Sequence, residues 1–114
     1  MALRALDDFH TYWSACSNMV CALDASGRIL ATNQAFIRAA GDLVGTMFIE
    51  HAVLDQQVEI QKKLNSLSGD AQAVSFFVLH HGGPADGRLR AWQAWRTGHS
   101  DAPIIAAATS VELD

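Results

Sequence analysis

The groups in this chain from which chemistry could be built are five histidines, two cysteines, twelve acidic residues and a set of glutamines. The carboxylates Asp24, Glu50, Asp55, Glu59 and Asp86 fall in turn-forming segments or on polar helical arcs. General acid–base catalysis needs groups that are desolvated and converge on one space, and this spacing supplies neither. No Gly-x-Ser-x-Gly elbow, phosphate-cradling glycine loop or His-Glu-x-x-His segment occurs, so no enzyme is expected. His80 and His81 are neighbours on or just past an extended segment. Alternation sends their rings to opposite faces, away from a shared metal. His10 and His99 are isolated, and His51, just before a long helical stretch, reads as a surface or hinge residue. Cys16 and Cys21 are too few for a disulfide framework and lack metal-ligand spacing. They read as reduced, half-buried thiols of a cytoplasmic protein.

The glutamines carry the sharpest local signal. Residues 53–67 form the clearest helix: Val53, Ile60, Leu64 and Leu67 cluster within about 60° on the helical wheel, Leu54 and Val58 extend that sector, and Asp55, Glu59, Lys62, Lys63 and Ser66 lie opposite. With Val53 at zero, Gln57 and Gln61 fall at about 40° and 80°, inside the apolar sector. A buried amide left unpaired costs ~1–3 kcal/mol, so each needs a partner: a backbone carbonyl, a water, or a small polar ligand. Gln93, in a later extended segment, is a third amide for the same space if its face is inward.

The elements that must position these groups follow from periodicity and turn chemistry. Residues 2–16 read as an amphipathic helix, with Leu3, Leu6, Phe9, Trp13 and Cys16 on one half and Arg4, Asp7, Asp8, Thr11 and Ser14 on the other. Its wide apolar face suits a sheet or a second copy of the chain. Met19–Leu23 and Arg28–Thr32 form a hairpin across the Asp24-Ala25-Ser26-Gly27 turn. Asn33 caps a helix over 34–40 that ends at Gly41. Residues 42–51 suit one or two short helical turns broken by Gly45, and Ser68-Gly69-Asp70 ends the long helix. Strands over 74–79, 89–97 and 104–111 close the chain, with a glycine-rich loop at 80–87. Two blocks of strands around a helical insert predict an α+β fold, an antiparallel sheet with helices on one face. Trp92 and Trp95 stand three apart on a strand and face opposite ways. One is expected in the core and the other beneath the N-terminal helix.

With 114 residues the chain suits one domain, and half of them are apolar, enough for a single core. The net charge of −4 and the lack of any Lys/Arg run argue against direct nucleic-acid binding or attachment to an anionic membrane. No apolar run approaches the roughly 20 residues of a membrane span.

The ordered marks Asp24, Gly27-Arg28-Ile29, Asn33 with Ala35-Phe36, Gly41, Gly45, Asp86-Gly87 before Trp92 and Trp95, and a final Ala108-Thr109-Ser110-Val111-Glu112 resemble the PAS sensor family over nearly the whole chain. The resemblance implies a five-stranded antiparallel sheet with short helices and one long helix on one face, plus an N-terminal amphipathic helix. Residues 1–16 would be that flanking helix and 17–114 the PAS domain. It implies a sensory input domain for an effector such as a histidine kinase, a cyclic-dinucleotide enzyme or a helix-turn-helix regulator. A homodimer through Leu6, Phe9 and Trp13 of the N-terminal helix is expected, and the alternative function is a ligand-free dimerisation and relay module. In place of the family's usual terminal Asp-x-Thr stands Ser110-Val111-Glu112.

A ligand, if any, would sit between sheet and helices, contacted by Phe36, Met47, Phe48, Gln57, Gln61, Leu64, Phe76 and Gln93. Val44, Val58, Ile105 and either Val20 and Ala22 or their strand neighbours complete the walls. The same side chains describe an ordinary filled core. Haem-binding members place a histidine on the long helix, and light-sensing members place a reactive cysteine in an Asn-Cys-Arg-type sequence at its start. Neither feature is present, so haem and covalently linked flavin are disfavoured. The cofactor is otherwise unspecified.

Overall fold

The computed structural model describes residues 13–67, 72–96 and 103–108. The expected helix over 2–16 lies outside them except for its last residues, as do Leu6, Phe9, His10, His99, the Ser68-Gly69-Asp70 stop and the chain beyond Ala108. Five strands form one antiparallel sheet: β1 (Val20–Leu23), β2 (Ile29–Thr32), β3 (Ala73–Leu79), β4 (Leu89–Arg96) and β5 (Ile104–Ala108), in the order β2-β1-β5-β4-β3. Between β2 and β3 come α1 (Gln34–Ala40), a 3₁₀ turn (Phe48–His51) and α2 (Leu54–Ser66). No helix among the described residues is long and apolar enough to cross a membrane.

Local chemistry explains these boundaries. In the β1–β2 turn one carboxylate oxygen of Asp24 accepts from the Ser26 amide at 2.9 Å, the Ser26 hydroxyl at 2.7 Å and the Arg28 amide at 2.9 Å. Gly27 completes the turn at φ 95°, a region side chains avoid. Asn33 caps α1, accepting from the Phe36 amide at 3.0 Å, and Gly41 stops it at φ 90°. The stretch 42–51 holds a single 3₁₀ turn, entered after Gly45 at φ 92°. A bulge between β1 and β2 pairs Ala22 with Ala31 and Leu23 with Ile29, so Leu30 is the extra residue and Ile29 turns to the opposite face from Ala31.

The sheet has two different faces. The helix-covered inner face holds Cys21, Leu23, Ile29, Phe76, Val78, Trp92, Ala94, Ile104, Ala106 and Ala108 in one cluster with Phe36, Phe48, Ile60, Leu64 and Leu67 from the covering elements. The outer face gathers Val20, Ala22, Ala31 and Ile105, with Trp13, Cys16, Trp95 and Ala107 packed against them. The two tryptophans of β4 therefore divide: Trp92 is in the inner core, and Trp95 stacks edge-on against Trp13 outside, with ring centroids 6.0 Å apart.

The apolar sector of α2 is narrower than its sequence suggests. Ile60, Leu64 and Leu67 are buried, but Leu54 is 78% and Val58 66% exposed. One flank of the helix is committed to β3, where Lys63 donates to the Ser75 carbonyl and the Leu79 amide donates to Gln56 Oε1. With that flank fixed, the arc bearing Leu54 and Val58 turns to solvent.

Candidate functional site

The space enclosed by α1, the 3₁₀ turn, α2 and the inner face is where recognition is geometrically possible. Its centre is aromatic. Phe48 meets Trp92 edge-on at 5.0 Å and Phe76 at 6.1 Å, and Phe36 meets Trp92 at 6.3 Å. These rings fit because the sheet beneath offers Ala94, Ala106 and Ala108, whose small side chains leave room for them.

A polar seam borders the aromatic centre on the side of the β1–β2 turn. A side chain at Gly27 would lie 3.5 Å from Gln61 Oε1, 3.7 Å from Leu64 Cδ1 and 3.8 Å from Met47 Cε, so three of the expected site residues converge over this glycine. Gln61 Nε2 donates to Asn65 Oδ1 at 2.9 Å and stands 3.5 Å from the Ser26 carbonyl. Its Oε1 is buried and has no hydrogen-bond donor among the described residues. Gln57 is half-buried and satisfied, donating from Nε2 to the Ala52 carbonyl at 3.1 Å.

Phe36, Phe48, Leu64 and Phe76 are buried around this space, with Met47, Gln57 and Gln61 half-buried at its rim. Gln93 is not among them. It is exposed, opposite Ser75 and Ala107 and on the other face from Trp92 and Ala94, because it alternates with them along β4. Ile105 also belongs to the outer cluster, while Val44 and Val58 are exposed. On β1 the inner residues are Cys21 and Leu23 rather than Val20 and Ala22.

Two histidines, His51 in the 3₁₀ turn and His80 just past β3, are more enclosed than their sequence positions suggest. His80 is only 5% exposed and accepts from Trp92 Nε1 at 3.4 Å. Burial first, then the nearby charges of Arg90 and His51, push its pKa down to about 4, so the ring is neutral near pH 7. Ala52 forms a bridge with His80, and the His81 amide donates to the His51 carbonyl at 2.8 Å. Thr46 spends its one hydroxyl hydrogen on the Leu43 carbonyl, so at 2.7 Å His51 Nε2 must be the donor to Thr46 Oγ1. Burial also lowers the His51 pKa, with Glu50 partly opposing it. The alternation that buries His80 leaves His81 exposed, 3.9 Å from Asp86. The signal that could have found His80 is its parity with Phe76 and Val78.

Among the described residues no cluster of His, Cys, Asp or Glu could hold a metal ion. Cys21 is fully buried and its thiol is pushed strongly up by burial, which removes the nucleophilic thiolate. The inward arc of α2 carries Ile60, Leu64 and Leu67, with neither imidazole nor thiol to hold haem or to bond a flavin.

No family model matches the sequence, and no curated protein does. Solved structures match the fold. The PAS domain of an HTR-like protein from Haloarcula marismortui superposes with a TM-score of 0.72 at 18% identity, over 97% of this chain and 93% of that one. A LOV protein of Rhodobacter sphaeroides gives 0.76 at 11% identity, over 99% and 69%. The PAS domain of the RpfR quorum-sensing receptor of Cronobacter turicensis, in complex with BDSF, gives 0.65 at 14%, over 87% and 98%. At these identities the likeness is one of architecture, and it agrees with the strand order and helix placement described above: the chain has the PAS fold.

Proposed function

We propose that this domain is a sensory input module: a small molecule binds in the seam between α2 and the sheet, and its presence is relayed to an effector in a longer protein. The effector would be a histidine kinase, a cyclic-dinucleotide enzyme or a helix-turn-helix regulator. The observation that carries the reading is Gln61 Oε1, a buried acceptor without a donor among the described residues, set over Gly27 between Met47 and Leu64. Leaving such a group unpaired costs about 1–3 kcal/mol, and a ligand N–H or O–H placed there recovers it. Met47 and Leu64 would face the ligand's apolar body. The Cronobacter receptor's PAS domain, in complex with BDSF, is a precedent for a small molecule in this fold. A ligand acts as a switch only if it binds one of two arrangements more tightly. The free thiols Cys16 and Cys21 suit a cytoplasmic setting.

A thermal-shift screen of metabolites, followed by native mass spectrometry of the hits, tests the reading. Dose-dependent stabilisation that is lost in Gln61→Leu is expected. An absence of any shift, with a stable dimer in the same spectra, favours the second reading: a ligand-free dimerisation and relay module. That reading draws on the aromatic filling of the interior and on Trp13, half-buried against Trp95 on the outer face. In it, Leu6, Phe9 and Trp13 pair two subunits. Trp13→Ala then raises the dimer dissociation constant in sedimentation measurements more than it lowers the melting temperature.

A further inference from the structure

Asn33 has more to do than cap a seven-residue helix. It is 2% exposed, and its side chain reaches in two directions. Oδ1 accepts from the Phe36 amide in α1 and from the Val20 amide at the start of β1, both at 3.0 Å. Nδ2 stands 3.1 Å from the Trp13 carbonyl, 3.3 Å from that of Cys16 and 2.8 Å from that of Asn18. Two hydrogens thus serve three acceptors, and one is shared. On one side of this amide is Phe36, whose ring packs on Trp92 in the interior. On the other is the segment carrying Trp13, which packs on Trp95 across the sheet.

We infer that Asn33 is the positioning residue that couples the interior to the N-terminal segment, so that a shift of α1 against Trp92 moves Trp13 on the outer face. The geometry allows little slack. An α1 displacement that moves the Phe36 amide must either move Oδ1, and with it the carbonyls of Trp13, Cys16 and Asn18, or break a buried hydrogen bond. A residue that only capped α1 would bond the Phe36 amide alone. The use of this route for signalling rests on the sensory reading above, but the coupling itself needs no ligand.

Amide hydrogen exchange on the protein without added ligand tests it. Cys16, whose amide donates to the Trp13 carbonyl, and Val20, bonded to Oδ1, are the reporters. Phe36→Leu, made on the inner side, is expected to speed exchange at Cys16 and Val20 several-fold beyond its effect on β4. Phe76→Leu, a comparable core change away from α1, is not. In Asn33→Ser, which keeps a capping oxygen and loses the amide donors, Phe36→Leu is expected to add nothing at Cys16. Reporters that ignore Phe36→Leu, respond equally to Phe76→Leu, or respond equally in the Asn33→Ser background overturn the inference. If Asn33→Ser does not fold, the Phe36 and Phe76 variants alone decide. Because no ligand enters, failure here leaves the metabolite screen to judge the sensory reading separately.

Discussion

The two faces of the sheet solve different problems with residues drawn from the same strands. Trp92 and Trp95 stand three apart on β4, yet Trp92 is enclosed by Phe36, Phe48 and His80 while Trp95 shares a shallow surface with Trp13. Inside, large rings sit over alanines and the Trp92 indole N–H has a partner. Outside, small aliphatic side chains are covered by one segment from the chain's start. The contrast teaches that stability is concentrated inside, where volume is matched, and that adjustable contacts are concentrated outside, where little volume is committed.

Paired truncation puts the largest strain on this contrast. Trp92→Ala should cost ~3–5 kcal/mol in urea unfolding, the range for emptying an enclosed aromatic site. Trp95→Ala should cost less than half of that, since its partly open site can relax or hydrate. Equal losses would dissolve the distinction between the faces. Acidification separates them next. Because the folded-state pKa of His80 is about 4 and its ordinary value is 6.5, the unfolded chain binds a proton between these limits that the folded chain does not. The stability it permits is whole above pH 6.5 and is lost as the pH falls towards 4. His80→Gln should flatten that limb of the stability curve, and a limb unchanged in the variant would refute the buried neutral ring.

Smaller still is the turn that aims β1 and β2. Asp24→Ala removes an acceptor of three hydrogen bonds and should cost about 1 kcal/mol by thermal unfolding, with no preference for either face. The smallest effect belongs to the seam. Gln61→Leu should leave the stability of the ligand-free protein unchanged or raise it by up to ~1 kcal/mol, because an unpaired acceptor is replaced by carbon. A clear loss of stability would mean that Oε1 has a partner.

Much of this arrangement was legible beforehand. Turn chemistry at Asp24–Gly27 and the Asn33 cap placed β1, β2 and α1, and helical periodicity placed α2 to within a residue at each end. Parity separated Trp92 from Trp95 without saying which was inside. The failures came from tertiary geometry. Gln93 lies outward because the register of β4, which no local pattern fixes, turns Trp92 inward. Leu54 and Val58 are exposed because side-chain bonds to β3 set the roll of α2. His80 is buried by a partner, Trp92, twelve residues away. The bulge that reverses Ile29 against Ala31 has no residue signature in Ile29–Thr32.

The side-chain and backbone bonds along the sheet's two borders have a consequence for how the domain can meet other chains. At β3, Lys63 occupies the Ser75 carbonyl, Gln56 the Leu79 amide and the Val53 amide the Leu79 carbonyl. At β2, the Ile29 amide and carbonyl are taken by Thr46 and Gly45, and Arg28 bridges Met47. A foreign strand pairing at Ser75, Leu79 or Ile29 would have to evict these occupants, so main-chain addition is opposed at those positions of the two borders. Contacts made by shape and side-chain identity meet no such obstacle, and they are the kind that selection can tune for one partner and against another.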